Sequence, residues 1–392
     1  MNTQTANYYE LLKFGLGTVD FQQFIDRFQQ KYNVLDTSGF VFDPEIQLDY
    51  TYEQLEASLG ISTLPVYMDV DSPALDKSYG SFSIGSNKVP TQKHRYSLNT
   101  KMLRERMLMI QRFGNAALNS DTRSALIDML YDSTDKLLQG NHNALTHQRH
   151  QVVSTGQFTI SSTNNPRGIT GVTFDFGIPD GNRDTLAGTS RWWTNVSHTT
   201  ANEGSASDPL GYLKEKARAA KKAGCPAFHI EMSEDLFDDL LTHTKVLSKI
   251  GLSLAPTYDA STAVTYAQNL QDDAKKSAME RIVGCPIVTR DSLAAVERFN
   301  AGTHSLETTT IDNFDPKNVS LVPNGQIGTI KSVQQIVFSG DPGAQYAWFD
   351  GGRTLVSTRY DSKTREMFVE SEFAMLCVPT LARYMYIWTV TV

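Results

Sequence analysis

Between residues 208 and 247 the chain spells out a helix, a strand and a second helix, with most of the ends marked by residue type. Asp208 takes a cap position and Pro209 the first turn, a pairing that pre-forms a helix start. That helix runs to Ala223 and closes at Gly224. Ala227–Met232 follows as a strand, and Ser233-Glu234-Asp235 opens a second helix that is expected to run through Leu247. The order then returns loosely, with a helix from about Ala263 to Val283, a stop at Gly284 and a strand beginning at Cys285-Pro286. Two short Gly-Cys-Pro matches do not make a repeat architecture. Alternating elements over residues 206–300 predict an α/β layer.

Upstream, Asn119 or Ser120 can cap a helix starting at Asp121, with Leu126, Met129, Leu130, Leu137 and Leu138 on its apolar face. Gly140 offers a stop or a kink, giving a rod of roughly 30 Å at about 1.5 Å per residue, or the helix continues toward His150. A shorter helix, Leu98 to Phe113, is expected before it. Residues 157–178 turn to β, with NNPRG as a turn between QFTI and the alternating Val172, Phe174, Phe176 and Ile178. Residues 180–206 read as a loop anchored by Trp192 and Trp193, and the tail from about 317 to 392 is strand-rich.

The first 100 residues have a different texture. Residues 1–60 read as an arm whose stripe of Phe21, Phe24, Ile25 and Phe28 keeps helical spacing and needs a surface to cover it. Residues 61–96 read as a long hairpin, with alternation at Val66, Met68 and Val70 and again at Tyr79, Phe82 and Ile84. So few apolar residues make it marginal alone. Charge is uneven here. Residues 1–87 carry twelve acids against four Lys/Arg, whereas residues 88–112 carry Lys88, Lys93, Arg95, Lys101, Arg104, Arg106 and Arg112 against Glu105 alone. A solvated helix face explains the basic run simply, while opposite fields meeting between neighbouring copies would set register.

Composition narrows the function classes. The net charge of −7 argues against the whole chain gripping nucleic acid, leaving at most nonspecific contact with DNA. No apolar run approaches the length of a membrane span, and the N-terminal stretch gives no expectation of secretion. Cys225, Cys285 and Cys377 are odd in number and far apart, which favours free thiols over disulfides or zinc. No phosphate loop or nucleophile elbow is present, and no cofactor or metal is expected. Asp69 and Asp71 read as solvated acids, and His142, His147 and His150 lack the spacing and the carboxylate of a metal site. Glu231, Glu234, Asp235, Asp238 and Asp239 suggest a carbohydrate-cleaving pair, but four of them sit in a helix's first turns, where the dipole favours acids. Lys214, Lys216, Arg218, Lys221 and Lys222 likewise suit a helix's C-terminal half, and alternatively face the acidic 234–239 helix of an adjacent copy.

The order of these pieces resembles the Hong Kong 97 fold, and in particular the lambda-type major head protein family of tailed bacteriophages. The stretches that carry it are LPVYMD, LLQGNHNAL, GVTFDFGIP, the run from Ser207 to Leu241, and FDPKNVSLVPNGQIGT. Trp192/Trp193, Asp208-Pro209 and Met232-Ser233 keep the family's order over roughly residues 60–392. The resemblance implies an α+β fold with an N-terminal arm (1–60), an extended loop overlapping a neighbour (61–97) and a peripheral domain (98–205) with its spine helix (121–150). It further implies an axial domain (206–339) and a return to the peripheral domain (340–392). It implies a capsid subunit forming hexamers and pentamers around phage DNA, assembled in the bacterial cytoplasm, with scaffolding, portal and decoration partners and no enzymatic role. Inter-subunit contacts are then expected at Phe21, Phe24 and Phe28, at Lys77, Lys88, Lys93, Arg95 and Arg104, and at Lys214, Lys221, Glu234 and Asp238. Some relatives cross-link through a lysine of the extended loop, a role open to Lys77 or Lys88 that the sequence does not mark. The rival readings are an encapsulin-like nanocompartment shell and a soluble α/β carbohydrate-active enzyme.

Overall fold

In a computed structural model, residues 22, 25, 26, 39–49, 51–57, 82–98, 120–337, 344–361 and 366–392 are described. One helix, α1 (Ser120–Thr155), runs unbroken for 36 residues, about 54 Å. Of the two readings open at Gly140, a stop or kink and continuation toward His150, the structure takes the second. Gly140 is there for space: a Cβ on it would lie 2.7 Å from the ring of His94 on a crossing strand. Past the helix end, Asn318 Nδ2 and Ser320 Oγ donate to the carbonyls of Ser154 and Val153, at 2.9 and 2.7 Å, so two C-terminal acceptors are satisfied by side chains.

Two sheets flank this helix. The larger contains β1 (Phe40–Phe42), β13 (Gly328–Val333), β16 (Glu366–Pro379), β15 (Thr354–Asp361) and β14 (Gln345–Phe349), in that order. β4 (Thr91–Leu98) pairs antiparallel with the first part of β16, and β13 with its last part. The second sheet orders β7 (Arg183–Thr185), β17 (Tyr386–Thr389), β12 (Asn318–Pro323), β8 (Phe228–Ser233) and β9 (Ile287–Arg290). β8 and β9 run parallel, as a strand–helix–strand crossover requires. Between them lie α3 (Glu234–Thr242), α4 (Thr244–Leu254), α5 (Ala260–Gln268) and α6 (Asp272–Val283), with α2 (Pro209–Lys222) ahead of β8. The α+β expectation holds. Sheet membership interleaves along the chain, however: the terminal β17 joins the sheet of the α/β layer, and β13 joins the other.

Two buried clusters result. One gathers Trp192, Trp193, Leu213, Ile230, Leu240, Ile250 and Met279 beneath the helices of the second sheet. The other gathers Val152, Phe158, Phe174, Ile330, Phe373 and Leu376 between α1 and the first sheet. Asp208 caps α2 by accepting from Gly211 N, and Gly284 closes α6 at φ 87°, as the sequence predicts. Two expected helices each divide in two. His243 is extended, and its side chain accepts from Lys245 N, so it ends α3 and caps α4. Gln271 is extended too, and Asp272 and Asp273 at the next first turn favour a fresh helix start over continuation. β5 (Gln157–Ile160) and β6 (Val172–Asp175) pair as expected.

The N-terminal region differs more. β2 (Thr51–Ala57) pairs with β3 (Phe82–Lys88), so the partner of the 82–88 strand comes from within the expected arm. Residues 66–70 and 99–113, which carry the expected first hairpin strand and short helix, lie outside the described residues. Residues 39–49 pack on this chain's own sheet: β1 runs parallel to β13, Phe40 is buried, and Asp43 pairs with Lys331 Nζ at 2.5 Å. Ile25 is buried, while its stripe companions Phe21, Phe24 and Phe28 lie outside the described residues.

Helices α4 and α5 approach so closely that a Cβ on Gly251 would sit 2.1 Å from the Ala263 carbonyl oxygen. Gly251→Ala must therefore separate the two helices, and a loss of about 1–3 kcal/mol in unfolding free energy is expected. Denaturant unfolding of the variant checks this, and an unchanged midpoint would refute the close contact.

Candidate functional site

Among the described residues, a glutamate in the middle of a strand is gripped by three neighbouring side chains. Glu231 of β8 is fully buried, and Arg149 of α1 grips it with both arms: Nη1 to Oε2 at 2.7 Å and Nη2 to Oε1 at 2.6 Å. Arg290 Nη2, from the end of β9, donates to the same Oε1 at 2.7 Å, and His229 Nε2 donates at 2.9 Å. Burial alone would raise this carboxyl. The Arg149 charge and the hydrogen bonds from His229, Arg149 and Arg290 outweigh it and hold Glu231 well below the usual carboxylate range. Two of the carboxylates read as a cleavage pair, Glu231 and Glu234, are thus unlike: one is buried and neutralised by cations, the other exposed at a helix start. Arg149 and Arg290 were not legible as site residues, although Arg149 falls in the spacing of Leu138, Leu145 and Val152 on the buried stripe of α1.

Two further arrangements imitate catalytic triads. Ser207 Oγ lies 3.2 Å from His243 Nε2, and Glu203 Oε2 lies 3.8 Å from His243 Nδ1. His243 Nδ1 already accepts from Lys245 N at 3.2 Å, so the proton of the neutral ring sits on Nε2 and points at Ser207. The Ser207 hydroxyl in turn donates to the Gly204 carbonyl at 2.7 Å. No lone pair is available to take the serine proton, so the nucleophile is not activated. Against the Trp193 ring, His198 stacks at 4.6 Å, donates from Nδ1 to Asp239 at 2.6 Å and meets buried Thr391 Oγ1 at 3.0 Å. These bonds tie the end of the chain to α3.

Of the histidines first weighed as metal ligands, His147 faces Asn313 Oδ1 at 2.9 Å and His150 donates to the Thr146 carbonyl at 2.7 Å. Burial first, then the Arg149 charge, pushes the His150 imidazole down to about 4.

The candidate contact residues divide by what they touch. Lys93 pairs with Glu372 at 2.7 Å, and the Arg95 guanidinium sits 4.4 Å over the Phe368 ring, so both engage this chain's own β16. Lys88 and Lys221 are exposed and Lys214 is half-buried. The Lys221 ammonium caps the Gly284 carbonyl at 3.2 Å and lies 5.7 Å over the Phe228 ring, at the start of β8. Glu234 and Asp238 are exposed just past the other end of β8, and six residues of strand separate the two charges by roughly 20 Å. Partial burial, then the charges of Asp272, Asp235 and Asp239, raises the Asp238 carboxyl. Phe21, Phe24, Phe28, Lys77 and Arg104 lie outside the described residues.

The buried polar groups of this molecule hold its own elements in register, and its unspent charge lies on the outside; that is the economy of a structural protein. The family model described as phage major capsid protein E matches residues 23–279, well over half of the chain, and the chain belongs to that family. It is a structural subunit of a phage capsid, working as one copy among many. No curated protein matches. Among solved structures, the chain is similar to the capsid protein of a prophage of Escherichia coli CFT073 at 13% identity, covering 98% of this chain and 99% of that one, with a TM-score of 0.46. It is similar to a phage-related protein from Bordetella bronchiseptica RB50 at 11% identity, covering 97% and 95%, with a TM-score of 0.44. It is also similar to the capsid of cyanophage A-1(L) at 13% identity, covering 88% and 89%, with a TM-score of 0.43. The family assignment rests on the family model.

Removing Arg149 leaves a buried carboxylate with too little compensation, so Arg149→Met should cost about 3–5 kcal/mol. Replacing both partners, Arg149→Met with Glu231→Met, should recover most of that loss in denaturant unfolding. Additive losses would contradict the pairing.

The pH dependence follows from the buried imidazoles. His150 has a folded pKa of about 4, below the unfolded value near 6.5, so its contribution is full above about pH 6.5 and is lost as pH falls toward 4. The depressed Glu231 adds a further loss below the ordinary carboxylate range. Calorimetry between pH 7 and 4.5 should show the Tm falling, with up to about 3 kcal/mol lost from His150 alone by pH 4. A flat profile would contradict the burial of the ring.

Proposed function

We propose that this chain builds the icosahedral head by self-assembly into hexamers and pentamers enclosing the phage DNA. The observation that carries this reading is the family match, and the Hong Kong 97-like division suits it. In that division residues 1–60 form the arm, 61–97 the extended loop, 98–205 with 340–392 the peripheral domain around α1, and 206–339 the axial domain, with β2 of the arm end joining the extended loop through its pairing with β3. The α/β layer then carries opposite charge at the two ends of β8, basic at Lys221 and acidic at Glu234 and Asp238, with Lys214 two turns back along α2. Copies arranged head to tail around a symmetry axis bring one end against the other, which orients them and rejects inverted contacts.

No step of this work is chemical. The Ser207 and His243 proton arrangement supports a non-enzymatic role, since the hydroxyl that resembles a nucleophile is spent on a carbonyl. Assembly takes place in the host cytoplasm with a separate scaffolding protein, and portal and decoration proteins complete the particle. Packaged DNA is met nonspecifically at most. Among the described residues no helix is long and apolar enough to cross a membrane.

Sedimentation and negative-stain microscopy of the purified chain, alone and with its neighbouring phage genes, test the proposal. Rings or closed shells are expected, and a strict monomer at all concentrations would overturn it. Lys214→Glu with Lys221→Glu should reduce the assembled fraction at least tenfold. Adding Glu234→Lys with Asp238→Lys should restore it, and failure of the swap would remove this charge pairing while leaving the shell reading intact.

A further inference from the structure

Between β9 and β12 the chain forms a feature that the family reading does not use. β10 (Leu293–Asn300) and β11 (Ser305–Asp312) make a two-stranded ribbon of eight antiparallel pairs, from Leu293↔Asp312 to Asn300↔Ser305. It joins neither large sheet. Its base is anchored, since Ala294 is buried, but almost all of β11 is exposed. Phe299 and Leu306 lie directly opposite one another near the tip, and they are 56% and 50% exposed. Two large apolar side chains side by side on a projecting ribbon lose the stabilisation that burial would give them.

A cleft opens at the base of the same ribbon. It has a volume of about 590 Å³ and is walled by Phe158, Ile160, Ile169, Val296, Ile311 and Phe373, from β5, the turn before β6, the ribbon and β16. At its floor His147 is buried. Its Nδ1 faces Asn313 Oδ1, while its Nε2 has no partner among the described residues. Asn313 Nδ2 donates to Ser292 Oγ, so Asn313 Oδ1 is the acceptor, the ring proton sits on Nδ1, and Nε2 is left as an unsatisfied acceptor. The cleft sets this apolar wall beside polar side chains, Lys93, Asn143, Asn164 and Asn165 among them, and so suits an apolar segment flanked by hydroxyls and amides. The ribbon tip has both: Phe299 and Leu306, flanked by Asn300, Thr303 and Ser305. The tip lies away from its own cleft, since Phe299 is three residues, roughly 10 Å, of paired strand beyond Val296 at the cleft wall.

We propose that the β10–β11 ribbon is an assembly clasp: Phe299 and Leu306 of one copy seat in the cleft between α1, β5 and the ribbon base of a second copy. This rests on the self-assembly reading above. The contact is heterologous, with the tip of one copy meeting the base of the next, so it propagates around a ring instead of closing a dimer.

Two kinds of variant test it. Phe299→Ser with Leu306→Ser, and separately Ile169→Lys at the exposed cleft rim, should keep the wild-type Tm and lower the assembled fraction at least tenfold. Mixing a Phe299→Cys chain with an Ile169→Cys chain under oxidising conditions should give a disulfide-linked dimer on a non-reducing gel that neither chain gives alone. If wild type assembles, the serine variants assemble equally well and no mixed dimer forms, the clasp is overturned and the shell reading stands. If the serine variants fail to assemble but no mixed dimer forms, another partner covers the ribbon and the proposal is likewise overturned. If wild type itself never assembles, both readings fall.

Discussion

The ion pair between Arg149 and Glu231 fixes how the two halves of the molecule sit together. It is bidentate and fully buried, and Arg290 and His229 add two further bonds to Oε1 of the carboxylate. The pair joins the helix that carries one hydrophobic cluster to the strand at the centre of the other. Apolar contacts alone tolerate small slips of a helix over a sheet. A buried forked hydrogen-bonded pair does not, because a shift of an ångström or two leaves a charge without its partner. Its contribution is register more than net stability. Asn318 and Ser320 reinforce the same docking by capping the end of α1 from β12.

A shell subunit needs such rigidity for a mechanical reason. Each copy transmits its neighbours' positions through its own body, so an error in the angle between helix and sheet would be repeated at every contact around a ring. The rest of the molecule follows the same logic. Several polar groups inside the chain are committed to internal bonds: Ser207 to a carbonyl, His243 to a helix cap, Thr391 and His198 to the C-terminal tether. On the outside lie charge at the two ends of β8 and apolar surface on the β10–β11 ribbon.

Local signals were legible in the sequence, and distant ones were not. Asp208-Pro209 and Gly284 marked helix ends correctly because caps and left-handed closures depend on a residue and its near neighbours. The β5–β6 hairpin was legible from alternation around a turn. Gly140 left a stop and a continuing helix both open, because its role is steric and is set by His94, which comes from a strand 46 residues away. The breaks at His243 and Gln271 fell inside runs with continuous apolar periodicity, and only the paired acids Asp272 and Asp273 hinted at the second. The placement of β17 beside β12, and of residues 39–49 on β13, came from pairings across most of the chain that no local pattern encodes. At the site, Glu231 drew notice as a carboxylate, but its meaning depends on Arg149, 82 positions earlier. An arginine in the spacing of a buried helical stripe was the one available sign.

The central claim is that a rigid subunit, locked by the Arg149–Glu231 pair, builds a closed capsid. Cryo-electron microscopy of particles formed by the purified chain tests it most directly. The account predicts shells in which every copy shows α1 docked on the second sheet at the same angle, with continuous density between Arg149 and Glu231. Particles whose copies differ in that angle, or a protein that never forms particles, would contradict it.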